Sequence, residues 1–251
     1  MARQQGILKF KGNIGSFSMY KTQDGFQGRE KSGIEPGRVL NDPAFQRTRE
    51  NLAEFAQVAQ SAKLLRVALC GALINVADNK VHRRLVSEMF KVLRTDSVHR
   101  RGERLVAAGN LELLKNFEFN SNSKLMTTYQ APFSTSIDRA TGKMTVALNS
   151  FSPQTFIAQL PGATHCTLIA AGAELDFASG EYAFDEATAE IALGPQTEPA
   201  RTLTVDITPG SAKSLFLTFG ITFTQIVNGE SYALKNGFYN GMAIVAVDNT
   251  I

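Results

Sequence analysis

The sequence predicts an α+β protein in three zones: short N-terminal β-strands, a central helical segment and a C-terminal antiparallel β-sandwich, immunoglobulin-like or jelly-roll. Three observations carry this expectation. Residues 1–40 hold seven glycines and short alternating runs of apolar and polar residues. Between Pro43 and Pro132 there is no proline, and apolar residues recur there at three- and four-residue steps. Beyond residue 120 Thr, Ser, Val, Ile and Phe dominate, six of the eight prolines occur, and turn signals return every 8–14 residues. The expected divisions are therefore a glycine-rich β arm at 1–40, a helical segment at 41–120 and a sandwich at 121–251.

In the arm, Leu8 and Phe10 alternate with Lys9 and Lys11, and Phe17 and Met19 alternate with Ser16, Ser18 and Tyr20. Phe26 follows the turn dipeptide Asp24-Gly25. Three strands are expected near 6–11, 15–22 and 26–31, with tight turns at Gly12-Asn13 and Asp24-Gly25. Such short strands carry too few large apolar side chains for a core of their own and must lie on another layer, in the same chain or in a neighbouring one. Leu8, Phe10, Phe17, Met19, Tyr20 and Phe26 are accordingly the candidate subunit-interface residues.

Asn41-Asp42-Pro43 is a helix start, an Asx cap followed by proline in the first turn. Phe45, Leu52, Phe55, Val58, Ala59, Ala62 and Leu65 then form a stripe that predicts an amphipathic helix to about residue 74. Val81, Leu85, Met89 and Val92 predict a second helix over 81–95, and a third is expected near 97–109. Strands are expected at 125–131, 143–149, 155–160, 164–171, 181–184, 187–193, 201–208, 214–226, 230–234 and 241–248. Between them stand turn signals such as Pro161-Gly162, Ser179-Gly180 and Asn228-Gly229.

Composition excludes several classes. The chain has 251 residues, too many for a mini-protein that needs staples, and its 20% charged residues argue against disorder. The longest apolar run, residues 67–76, is half of what a membrane span requires. Met1 to Lys11 contains no apolar h-region, so synthesis in the cytoplasm without a readable signal peptide is expected, the final location being left open between an extracellular assembly and a virion. Cys70 and Cys166 are two buried, reduced thiols on this reading; His165 and Cys166, adjacent on a strand, point to opposite faces and do not form a catalytic pair.

Charge is asymmetric. Residues 1–120 carry 20 Lys and Arg against 12 Asp and Glu, whereas residues 121–251 carry 6 against 11. The basic half suits a polyanion, or the two halves suit each other, on one chain or between successive copies. Arg83, Arg84, Arg100, Arg101 and Arg104 are the candidate contacts to a polyanion or an acidic partner. Glu174, Asp176, Glu181, Asp185, Glu186 and Glu190 read as a solvated acidic edge without the regularity of a calcium loop. Gly12-Asn13-Ile14-Gly15-Ser16 lacks the Lys-Ser/Thr pair and following helix of a phosphate loop. His82 and His99 lack partners at ligand spacing and read as exposed polar residues. No catalytic residue, metal or cofactor is expected, and no enzyme.

Several stretches carry a resemblance. They are the run Gly12-Asn13-Ile14-Gly15-Ser16-Phe17-Ser18-Met19-Tyr20-Lys21, the segment from Asn41-Asp42-Pro43 to Asn51, Ile137-Asp138-Arg139-Ala140-Thr141-Gly142, and Leu234-Lys235-Asn236-Gly237. Together they resemble a bacterial domain-of-unknown-function family of signal-less proteins of about this length. The resemblance implies a single evolutionary unit and brings no functional residue with it. The expected function is a structural, self-assembling subunit of a filament or a virion-like particle, linked by its N-terminal arm and by head-to-tail charge, with other copies of itself as partners. The alternatives are a nucleic-acid-associated protein using the basic helices and an exported adhesin or carbohydrate-binding sandwich.

Overall fold

A computed structural model describes residues 2–30, 34 and 36–249, and divides the chain into two units, Met1–Arg49 and Glu50–Ile251. The first unit holds four antiparallel strands, β1 (Ala2–Arg3), β2 (Gly12–Ile14), β3 (Phe17–Thr22) and β4 (Gly25–Glu30), in the order β1-β4-β3-β2. After them come a short helix α1 (Pro36–Asn41) and a 3-10 turn Pro43–Phe45. Asp42 caps that turn, its carboxylate accepting the Ala44 N–H at 2.9 Å, so the Asx-Pro start acts as read.

The alternation at 6–11 does not make a strand. The Gln4 side chain accepts the Phe10 N–H at 2.8 Å and donates to the Phe10 carbonyl at 3.2 Å, satisfying that backbone without a ladder. Gly12-Asn13 lies inside β2, and the turn falls at Gly15-Ser16, where Gly15 takes φ +56°. Lys31, at the expected end of the third strand, lies outside the described residues.

The second unit opens on helix α2 (Gln46–Ala68), which begins within the end of the first, then α3 (Cys70–Leu73) and α4 (Val81–Arg94). Val58, Ala62, Leu65 and Ala68 form the buried stripe of α2, as their spacing requires. Its first turns differ from the expected stripe: Leu52 and Phe55 are more than half exposed, and Glu54 is buried instead, accepting the Gly102 N–H. The helix breaks at Leu69, which turns Cys70 outward, so only Cys166 of the two cysteines is buried.

No helix forms at 97–109. The Asp96 carboxylate accepts the N–H groups of Val98, His99 and Leu105 and pairs with the His99 ring at 2.8 Å. A side chain that gathers three backbone donors competes with helical bonding and fixes a loop. His99 is thus half-buried and paired rather than freely exposed.

Eight strands follow, with single helical turns α5 (Leu125–Thr128) and α6 (Pro153–Phe156) among them. Both turns stand where strands were expected; at α6 Pro153 occupies the first helical position, where its missing N–H costs nothing. The strands are β5 (Phe133–Asp138), β6 (Lys143–Leu148), β7 (His165–Leu175), β8 (Tyr182–Ala192), β9 (Arg201–Asp206), β10 (Ser214–Val227), β11 (Glu230–Ala233) and β12 (Gly241–Asp248). The two strands expected at 181–184 and 187–193 are one, and β5 was not anticipated. One sheet runs β5-β6-β9; the other runs β11-β10-β7-β8, with β12 on β10.

The larger sheet is buried on both faces. Cys166, Leu168, Ala170, Leu217, Phe219 and Ile221 face the three-stranded sheet and form one core with Met144, Val146 and Val205. Ala171, Ala173, Leu175, Phe216 and Ile244 face the helices and form the other with Leu65, Leu85 and Met89. Double-sided burial is why β7 and β10 read as nearly continuous apolar runs. A bulge in β12 opposite Leu217/Thr218 keeps Ile244 and Val247 on the helical face. Helices, a mixed-environment middle sheet and a smaller sheet thus make three layers, the two sheets packing as a sandwich.

Candidate functional site

The arm's sheet is two-sided. Strand register places Phe17, Met19 and Lys21 of β3 beside Glu30, Gly28 and Phe26 of β4, and Ile14 and Gly12 of β2 beside Phe17 and Met19. Alternation therefore puts Ile14, Phe17, Met19 and Phe26 on one face. Ser18, Tyr20, Gln27 and Arg29 occupy the other, where the Arg29 guanidinium lies over the Tyr20 ring. Of the six candidate interface residues, Phe17, Met19 and Phe26 share the apolar face, Tyr20 lies on the polar one, and Leu8 and Phe10 stand on the loop that Gln4 ties down.

This face has apolar residues but little packing. Ile14 is 53% and Phe17 46% exposed, and Leu8 on the neighbouring loop is 75%. Among the described residues of 2–49, Gly28 alone is buried. It is covered because the Met19 sulfur lies 2.6 Å from where a Cβ on Gly28 would stand. A sheet face of this kind is stable when another layer covers it.

The five candidate arginines do not form one surface. Arg84 is turned inward: it pairs with Asp78 at 2.7 Å, donates to the carbonyls of Glu118 and Phe119, and lies over the Phe117 ring. Arg83 and Arg100 are exposed. Arg101 and Arg104 line a cleft of about 630 Å³ with Arg94, Asn51, Glu54, Phe55 and Phe90. In it Arg101 donates to Asn51 at 2.8 Å and reaches Glu50 at 3.6 Å. Arg104 sits 3.8 Å from Glu54, and its buried Nε has no hydrogen-bond partner among the described residues. The Phe55 and Phe90 rings stand 6.1 Å apart there. The sequence does not reveal Arg94, Phe55 and Phe90 as neighbours of this pair, because its spacing predicts a helix over 97–109 where a loop brings Arg101 and Arg104 onto α2.

The acidic residues split in the same way. Glu174 is 2% exposed and lies in a cleft of about 570 Å³ with Thr208, Ser211, Lys213 and Asn249. Burial alone would raise its carboxyl, but the Ser211 hydroxyl at 2.7 Å, the Thr208 N–H at 3.2 Å and the Lys213 ammonium at 4.0 Å outweigh it and hold it below the usual range. Every group needed to hold that charge is intramolecular, so the cluster ties β7 to the 208–214 loop. Glu186 and Glu190 remain exposed on β8.

Of the two thiols, Cys166 is occupied by packing and Cys70 is exposed. His165 and Cys166 project to opposite faces, and burial pushes the Cys166 thiol up to about 12, where it is no nucleophile at neutral pH. Among the described residues no group of three or more His, Cys, Asp and Glu is placed to hold a metal ion, and no helix is long and apolar enough to cross a membrane. The chain matches no protein-family model, no curated protein and no solved structure.

Proposed function

We propose that this chain is a structural, self-assembling subunit, a component of a filament or a particle, whose arm of residues 2–30 links one copy to the next. The observation that carries this reading is the apolar face of Ile14, Phe17, Met19 and Phe26, on which Ile14 and Phe17 are exposed, Met19 and Phe26 are half-buried beside the Gln4 side chain, and no second sheet is packed among the described residues of its own unit. An exposed apolar patch on a coreless sheet is a surface for association. Charge supplies a second contact: residues 1–49 carry nine Lys and Arg against four Asp and Glu, and residues 50–251 carry 17 against 19. Such potentials steer head-to-tail docking, and contacts of that kind repeat into rings or filaments.

The body of this subunit we read as immunoglobulin-like rather than jelly-roll. Its first, second and fifth strands, β5, β6 and β9, make one sheet, and β8, β7, β10 and β12 make the other. Setting the first, second and fifth strands against the third, sixth and seventh is the immunoglobulin pattern, with the fourth strand, β8, switched to the second sheet, β11 as a hairpin excursion and the helices as an added layer. Negative-stain electron microscopy of the purified chain tests the reading. Filaments or regular particles at low ionic strength, shortening as salt is added, are expected; single 27.3 kDa molecules under every condition would contradict it.

The cleft of Arg94, Arg101 and Arg104 beside Phe55 and Phe90 favours one other reading, a single-stranded nucleic acid laid on two rings with its phosphates on the arginines. Binding of a labelled oligonucleotide that weakens steeply with salt, and weakens again in Arg94→Glu, supports it. Absence of binding at low salt excludes it.

A further inference from the structure

The apolar face of the arm is self-complementary. Three register pairs run along it: Phe17 with Glu30 at one end, Met19 with Gly28 in the middle, and Lys21 with Phe26 at the other. All six positions lie on the same face, as the Met19 sulfur over Gly28 and the Lys21 ammonium 5.7 Å from the Phe26 ring confirm. Ile14 extends the Glu30 end through its pairing with Phe17. The face thus has an apolar body, a centre where the Met19 side chain lies across Gly28 beside Gln4, a cation at one end and an anion at the other.

Resting on the proposed self-assembly, we propose that the occupant of this face is the same face of a second copy, the two arms packing sheet on sheet about a two-fold axis that crosses the strands. That operation reverses the strand direction. The Lys21 end of one arm then covers the Glu30 end of the other, and Ile14 and Phe17 of each copy meet the Phe26 end of its mate. Phe17, Phe26 and Ile14 become the inner layer of a two-sheet sandwich at ordinary sheet spacing. The contact is isologous, so each charged end is satisfied twice, once in each direction. Placing the axis along the strands instead stacks Lys21 on Lys21 and Glu30 on Glu30, which like-charge repulsion disfavours. An isologous contact closes at two copies. Growth beyond the dimer therefore falls to the head-to-tail charge contact, and salt is expected to dissolve polymers into dimers before it yields monomers.

Charge exchange on the full chain tests this. Lys21→Glu and Glu30→Lys change exposed positions and are expected to leave the far-ultraviolet circular dichroism spectrum unchanged. Each alone is expected to weaken dimerisation at least tenfold in sedimentation velocity at low ionic strength, because both ends of its face then carry the same sign. An equimolar mixture of the two variants is expected to recover it. The first variant has an acidic group at both ends and the second a basic group at both, so each end contact of the mixed dimer again joins opposite charges. Singles that lose dimerisation with no recovery on mixing, or singles that dimerise like the wild type, overturn the arm-to-arm pairing while leaving an arm-linked assembly intact. A wild-type chain that never associates overturns both.

Discussion

Arg84 and Asp78 meet at 2.7 Å, and the pair fastens the start of α4 to the segment that borders β12. Asp78 also accepts the Ser121 N–H and hydroxyl, each at 2.8 Å, while Arg84 donates to the carbonyls of Glu118 and Phe119. Along this segment Asn116 and Phe119 donate to Ile244 and Met242, covering the open edge of β12. An arginine with this many internal partners is a rivet between layers.

Replacing it has a definite expectation. Arg84→Ala leaves the 7%-exposed Asp78 side chain without its cation and the Glu118 carbonyl without a donor, while the Phe119 carbonyl keeps the Asp78 N–H at 3.1 Å. The loss is about 3 kcal/mol, read as a lower urea midpoint at unchanged slope. Arg83→Ala, one position away on the exposed side of α4, is expected to change stability by less than about 0.5 kcal/mol.

Asp96 makes stability depend on pH. Burial alone would raise its carboxyl, but the N–H groups of Leu105, His99 and Val98 and the His99 side chain overcome that and hold it well below its ordinary value of 3.8. The folded state thus binds the proton more weakly than the unfolded one. The stabilisation is complete above the unfolded value and is lost as pH falls through and below it, toward the folded value. Urea midpoints measured from pH 6 downward are expected to fall less steeply in Asp96→Asn than in the wild type. Parallel curves would remove Asp96 as the organiser of the 97–105 loop.

Tyr129 is fully buried, with its ring edge-on to Phe151 and Phe219, and its hydroxyl has no hydrogen-bond partner among the described residues. Burial pushes the phenol above its normal value of 10.0. Tyr129→Phe keeps the ring stack and removes an unsatisfied polar atom. It is expected to hold or raise stability, by up to about 1 kcal/mol. A loss of that size would mean that the hydroxyl is satisfied after all.

The thiols separate by exposure. Cys70 is exposed and Cys166 is buried with its thiol held to about 12. A disulfide reagent at mildly alkaline pH is expected to titrate Cys70 at once in the native chain and Cys166 only in denaturant. Fast reaction of both would show that the sandwich core opens readily.

The sequence announced its elements most clearly where burial followed one periodicity. The buried spacing of Val81, Leu85, Met89 and Val92 gave α4 almost to the residue, and Asn228-Gly229 gave the β10–β11 turn, both residues taking positive φ. Legibility failed where a side chain took over backbone bonding. Gln4 dissolved the strand expected at Leu8 and Phe10, and Asp96 the helix expected after Ser97. The alternation of Phe133, Thr135 and Ile137 signalled β5 in the residues themselves but stood next to Pro132. The arm's apolar side was readable from Phe17, Met19 and Phe26. Its charged ends were not, because Lys21 and Glu30 share a face only through cross-strand register, which a linear pattern does not reveal.

The most direct measurement is sedimentation velocity over a concentration series, comparing the full chain with full-length Phe17→Glu/Phe26→Glu. At salt high enough to screen the head-to-tail contact, the wild type is expected to sediment as a dimer that dissociates on dilution, and the variant, its apolar face charged, as a folded monomer throughout. Equal behaviour of the two chains, whether both associate or neither does, contradicts the arm as the link between subunits.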